Sequence, residues 1–180
     1  MYDPILVPVD GSDTAARAAA EGFRIAEELG STVHLLFVVD ESAAAMLLTS
    51  ETMADRLERL RGEAHEFLAE LADTTDVPVE TAVVRGMKVH RAIIDYAETE
   101  GIGLIVMGSR GRSGPGGILG STSERVAANT AIPVLLVSDP ASEDNDSNED
   151  GDASADSDGG RVGSDERVDA GADEERDDAT

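Results

Sequence analysis

The segment Ile102–Val126, IGLIVMGSRGRSGPGGILGSTSERV, passes within 25 residues from an apolar run, through a stretch holding six glycines, to a Ser-Thr-Ser-Glu tetrad. The run Ile102–Met107 has the length and composition of a strand buried on both faces. The tetrad opens a helix, Ser121–Asn129. A strand that leads through glycines into a helix start is a place where a backbone can receive an anion. Glycine permits close approach, and the first helical turn adds unpaired N–H donors and the positive end of a dipole. Local charge agrees: from Gly101 to Ser138 the charged residues are Arg110, Arg112, Glu124 and Arg125, a sum of +2 in a chain of net charge −24. Two plainer readings stand beside this one. The glycines can be a flexible turn, and Ser121 with Glu124 fits a capping box in which Ser121 is the N-cap.

Working outward, the other elements declare a parallel sheet. Ile5–Val9 (ILVPV) is a short apolar run between Asp-Pro and Asp-Gly-Ser, the signature of a buried strand. Ser12 is placed to cap a helix that runs to Leu29 and stops at Gly30. Thr32–Val39 is a second strand. From about Ser50 to Ala72, Met53, Leu57, Leu60, Ala64, Phe67, Leu68 and Leu71 recur at helical spacing. Val79–Val84 reads as a third strand, Met87–Thr99 as a helix with Val89, Ile93 and Ala97 inward, and Pro133–Val137 as a fifth strand. Five apolar strands alternating with four helices give an α/β, doubly wound fold with both sheet faces covered. Ligands of such sheets sit outside the strand carboxyl ends, where the strand order reverses. That position falls between Asp10-Gly11-Ser12-Asp13 and the glycine stretch, provided the first and fourth strands are neighbours.

Composition bounds the rest. The 180 residues suffice for one domain and a remainder, and the remainder is visible: after Pro140 there are 16 acidic and 3 basic residues and almost no apolar ones. A segment of that kind buries too little to offset chain entropy, so residues 140–180 are expected to be a disordered acidic tail following a domain at 1–139. Within it, Asp146-x-Asn148-x-Asp150-Gly151 opens like a calcium loop but has Ser157 where the bidentate Glu belongs. The chain has no cysteine, no bilayer-length apolar run and no signal-peptide pattern at Met-Tyr-Asp-Pro, so a soluble cytoplasmic protein is expected. The acidic balance argues against nucleic-acid and membrane partners. With Lys88 the single lysine against 13 arginines, it also suggests a halophilic host, where salt screens self-repulsion.

Two phosphate motifs are excluded. No Gly-Lys-Ser/Thr occurs, and the glycines follow the fourth strand instead of the first, which rules out the Walker A loop and the dinucleotide fingerprint. The sequence instead resembles the universal stress proteins, through ILVPVDGS at the start, LIVMGSRGRSG, GSTSERV and the closing PVLLV, in that order. The resemblance covers about Met1 to Ser138. It implies the strand order 3-2-1-4-5, a Rossmann-like sheet related to the adenine nucleotide α-hydrolases, and in one branch an ATP site signed Gly-x2-Gly-x9-Gly-Ser/Thr. Carried over, Gly108, Gly111, Gly120 and Ser121 surround the phosphates, Asp10 holds the ribose, and the backbone near Val39 and Met107 frames the adenine beside Pro8 and Val9. The implied set is completed by Ser109, Arg110, Arg112, Thr122 and Ser123, with ATP as ligand and Mg2+ or Mn2+ as its companion ion. One departure stands out: eight residues, Arg112 to Leu119, separate Gly111 from Gly120, where the family pattern has nine.

Read without the resemblance, Asp10 is equally a turn residue, and Arg110 and Arg112 are equally solvated charges. Lys88 with Arg85 and Arg91 makes a small basic cluster at the start of a helix. His34, His65 and His90 have no metal-ligand spacing and no neighbouring nucleophile. Without a positioned general base, any ATP hydrolysis is expected to be slow or to need a partner. The fifth strand ends the folded part with unpaired edge groups, and pairing with its own copy would make a homodimer, as the resemblance also implies. The first reading is thus a nucleotide-binding stress-response dimer acting on an unidentified protein partner. The second is a regulatory dimer of the same family without nucleotide. An adenylyl-transferring enzyme of related fold is disfavoured, because the Ser-Gly-Gly-x-Asp-Ser loop after the first strand is missing.

Overall fold

The computed structural model describes residues 2–46, 52–111 and 119–138. In chain order they form β1 (Ile5–Val9), α1 (Asp13–Leu29), β2 (Val33–Asp40), α2 (Glu41–Met46), α3 (Met53–Ala72), β3 (Val79–Gly86), α4 (Val89–Thr99), β4 (Leu104–Gly108), α5 (Ser121–Asn129) and β5 (Val134–Val137). The five strands make one sheet in the order β3-β2-β1-β4-β5, and every pairing is parallel. The acidic segment and its calcium-like hexapeptide lie outside the described residues.

Why β1 and β4 read as continuous apolar runs is now plain. Both are central and every residue of each is buried. Alternate residues feed two cores: Ile5, Val7 and Val9 pack with Val33, Leu35 and the small residues of α1, while Leu6 joins Leu36, Ile105, Met107 and the inner faces of α4 and α5. The alanines of α1 let that helix come close to the sheet. At Gly22 the approach is closest, for a Cβ there would lie 2.6 Å from Val7 Cγ2.

Helix ends follow local chemistry. Ser12 Oγ accepts the Ala15 N–H at 3.2 Å and starts α1, and Gly30, at φ 64°, closes it with a left-handed turn. The hexapeptide helix α2 is absent from the sequence expectation. It forms because Asp40, the last residue of β2, accepts the N–H groups of Ser42 (2.9 Å) and Ala43 (3.2 Å) and so caps the Glu-Ser-Ala-Ala-Ala run behind it. The stripe expected on α3 is buried only in its second half: Ala64 and Leu68 are enclosed, whereas Met53 is exposed. Twenty residues of helix span about 30 Å, longer than the eight-residue strand β3 that it covers, at about 26 Å. α4 begins at Val89, two residues later than Met87, and β5 at Val134, since Pro133 has no N–H for the ladder.

Candidate functional site, a crevice between β1 and β4

β1 pairs with β2 along all five residues, but its ladder with β4 consists of Ile5 with Leu104 and Leu6 with Ile105. The pairing thus stops before the carboxyl ends. β1 leads back through β2 and β4 leads on to β5, so this is the reversal point of the sheet, and the two loops that follow form its lips.

The first lip is a turn built by Asp10. Its Oδ1 accepts the Ser12 backbone N–H at 3.0 Å and the Ser12 hydroxyl at 2.7 Å, holding Gly11 at φ 79°. Ser12 in turn caps α1, so the carboxylate is fixed to the start of that helix. The turn role weighed for Asp10 is thus carried by Oδ1. Oδ2 faces the other lip, where a Cβ built on Gly111 would stand 2.7 Å from it.

The second lip is closed at its base. Gly120 N–H donates to the Ser109 carbonyl at 2.7 Å, and Ser109 N–H donates to the Val137 carbonyl of β5 at 2.8 Å. The glycines here are glycines for want of room. A Cβ on Gly108 would meet Thr14 and the Arg110 carbonyl at 3.1 Å, and one on Gly120 would meet the Ser109 carbonyl at 3.3 Å. Ser12 stands in the loop Asp10–Asp13 that the sequence placed at this lip, whereas Thr14, in the first turn of α1, was not among the sequence candidates; its signal was its place directly after that loop.

The expected capping box does not form. Gly120, not Ser121, is the N-cap of α5, and no side chain caps that end. Ser121 is the first helical residue and is exposed, while Glu124 follows a turn later and its N–H makes the backbone bond to the Gly120 carbonyl at 2.9 Å. The amides before Glu124 are therefore the unpaired donors of the first turn. Ser123 turns inward, donating its hydroxyl to the Gly108 carbonyl at 2.8 Å from a buried position. That hydroxyl belongs to the scaffold beneath the crevice and not to its surface. Thr122 is half-buried beside it.

Of the other expected residues, Pro8 and Val9 are buried at the end of β1, and Val39 and Met107 are buried on the strands that flank it. Their side chains fill the core, which leaves the backbone as what they offer the crevice. Ser109 is buried and Arg110 half-buried. Arg112 lies outside the described residues, as does the span 112–118 where the spacing is one residue short. Among the described residues no three His, Cys, Asp or Glu side chains gather as a metal group. Nor is any helix long and apolar enough to cross a membrane.

His34, one of the scattered histidines, is a core residue: its Nδ1 lies 3.0 Å from the Tyr96 hydroxyl and its ring meets that of Tyr96 edge-on. Burial, then the charges of Glu100 and Glu80, push the Tyr96 hydroxyl above its ordinary range.

Comparison with known proteins agrees with this fold. Residues 1–138 match the universal stress protein family. The chain is 34% identical over 147 residues to universal stress protein MJ0531 of Methanocaldococcus jannaschii, spanning 79% of this chain and 86% of that one. It is 37% identical over 138 residues to a universal stress protein of Thermus aquaticus, spanning 76% and 99%. The solved structure of the hypothetical protein MJ0577 superposes with a TM-score of 0.70 at 31% identity, over 77% of this chain and 97% of the other. The fold also recurs, at 22% identity and TM-scores of 0.55 and 0.53, in a universal stress protein in complex with cAMP and in one from Archaeoglobus fulgidus in complex with dAMP, over 76% of this chain and 97% and 98% of theirs. The chain belongs to the universal stress protein family.

Proposed function

We propose that the chain is an adenine-nucleotide-binding stress protein that takes ATP, with Mg2+ or Mn2+, into the crevice between the loops after β1 and β4. The observation that carries this reading is the start of α5, a glycine-capped helix end whose first-turn amides face no capping side chain, set directly above the closed Ser109–Gly120 base. The residues fit the group. Gly108, Gly111 and Gly120 keep the floor free of Cβ atoms, Asp10 stands at the opposite lip for a ribose hydroxyl, and Ser121 and Thr122 begin the helix that would offset phosphate charge. The nucleotide complexes known for two proteins of this fold point to the same ligand class.

The short spacing favours a different reading, a regulatory dimer that has lost nucleotide. Against it, the Ser109–Gly120 bond joins the two ends of the loop, so a residue removed from between them leaves the floor as it is. The two readings separate by experiment. Mass spectrometry of protein purified without added nucleotide should reveal AMP or ATP, and MgATP should raise the melting temperature. No shift at millimolar MgATP removes the first reading and leaves the second.

The same reading includes a homodimer through β5, a cytoplasmic role in stress signalling through a partner protein, and at most slow hydrolysis, since no acid–base pair is written into either lip. The acidic segment from residue 140 serves as a solvating tail for a protein adapted to salt. An unfolding transition as high in dilute buffer as in molar salt would count against that adaptation.

A further inference from the structure

In a chain with 38 acidic and 14 basic residues, unneutralised cations are scarce. Arg24 is held by Glu21 and Glu28 at 2.6 Å each, Arg59 by Glu63 at 2.8 Å, and Arg85 lies 4.0 Å from Glu41. Arg85 thereby leaves the basic cluster that the sequence suggested. Lys88, Arg91 and Arg125 are exposed and without an ion pair among the described residues, as are Arg61 on α3 and half-buried Arg110, which stand apart in the chain.

Packing gathers the first three. α4 and α5 share a core through Ile93, Ile94, Ala97 and Val126, with Val89 packed against it, and Arg125 of α5 lies close enough to His90, in the first turn of α4, to act on its charge. His90 is half-buried among the three cations: partial burial first, then Arg125, Arg91 and Lys88, hold its proton below the ordinary imidazole range. Asp95 and Glu124 occupy the same helices, yet neither pairs with these cations. Immediately before Lys88 stands Met87, 73% exposed.

We propose that the surface made by Met87, Lys88, His90, Arg91 and Arg125 docks an acidic segment of a partner protein, one that carries an apolar side chain among its carboxylates. Charge complementarity selects the occupant. The cations ride on exposed stems from two helices and form no cradle for a lone small anion. A long polyanion such as nucleic acid would run beyond the patch along a chain whose net charge is −24 and be repelled. A short acidic peptide meets neither obstacle. Two of the three cations are arginines, whose planar fork pairs with carboxylates at contact distance. Such pairs persist in molar salt, where the screening length is about 3 Å. Met87 supplies a polarisable apolar contact beside them. The proposal is independent of whether the crevice holds nucleotide.

The test is fluorescence anisotropy of the full chain with a labelled Glu-Glu-Glu-Leu-Glu-Glu-Glu peptide, against its lysine counterpart and an oligothymidylate of similar length. Saturable binding of the acidic peptide alone is expected, weakened at least about tenfold in the combined Lys88→Gln, Arg91→Gln, Arg125→Gln variant. In the unsubstituted protein, NMR titration of His90 should show its pKa rising when the peptide binds, because added carboxylates offset the surrounding cations. No saturable binding, equal binding by the variant, tighter binding of oligothymidylate, or an unmoved His90 titration would each overturn the proposal.

Discussion

Asp10 and Gly111 come from different lips of the crevice, and Asp10 Oδ2 lies 2.7 Å from where a Cβ on Gly111 would stand. The carboxylate is held from behind by Ser12, so it has little freedom to retreat. This proximity couples the loop after β1 to the loop after β4.

Gly111→Ala should therefore leave the fold intact and push the two lips apart, since the carboxylate cannot retreat. ATP affinity, measured by titration calorimetry, is expected to fall at least about tenfold, or 1.4 kcal/mol. Affinity equal to the parent's would show that Asp10 does not take part in binding.

Ser121 and Ser123 should part company on substitution. Ser123→Ala leaves the buried Gly108 carbonyl without its 2.8 Å partner and should cost about 1–3 kcal/mol in denaturant unfolding. Ser121→Ala removes an exposed hydroxyl that caps nothing, with a change within about 0.5 kcal/mol. The reverse ranking would restore the capping box.

Gly22→Ala places a methyl 2.6 Å from Val7 Cγ2, with both residues fully packed. Overpacking of that kind costs about 1–3 kcal/mol. A melting temperature unchanged or raised by the substitution would mean that α1 can lift from the sheet freely.

Tyr96→Phe removes the hydroxyl beside His34 Nδ1 and should destabilise the protein by about 1–3 kcal/mol at neutral pH. It should also change the alkaline limb. The folded state raises the Tyr96 pKa above its ordinary 10.0, so the stability it contributes is complete below pH 10 and is lost as pH climbs through the folded value. Unfolding free energies above pH 10 should accordingly fall less steeply in the phenylalanine variant. Identical slopes would remove Tyr96 from the alkaline transition.

Leu135, 36% exposed on β5, is the residue that a dimer through that strand would cover. Leu135→Arg should convert a dimeric mass in light scattering at micromolar protein to a monomeric one. A parent chain that is already monomeric would dispose of the β5 interface altogether.

How much of this was legible in the sequence depended on whether one segment was enough to fix the outcome. Ile5–Val9 and Leu104–Gly108 announced themselves because a central parallel strand must be apolar on both faces. Ser12 and Gly30 marked the ends of α1 through chemistry contained in the helix itself. The order of the strands needed the family resemblance, since periodicity carries no information about neighbours. The cap of α5 was misjudged for a similar reason. The helix itself, Ser121–Asn129, was legible, but Ser-Thr-Ser-Glu satisfies the capping pattern in isolation, and with the Gly120 N–H bonded to the Ser109 carbonyl the cap is Gly120, one residue earlier, which leaves the serine inside the helix. α2 was missed because its cap, Asp40, still belongs to a strand. Lys88, Arg85 and Arg91 read mainly as surface in the sequence and all three are exposed; Arg125 beside them was not legible, because it is distant in sequence.

The two margins of the sheet are unlike. β3 carries Glu80 and Arg85 along its eight residues, whereas β5 is four residues long and reads Val-Leu-Leu-Val. A sheet whose opposite margins attracted each other would add copy after copy and grow into a fibre; one that is adhesive on a single margin is finished after two. Under the proposed pairing through β5, the charges on β3 act as a stop, and assembly ends with a pair.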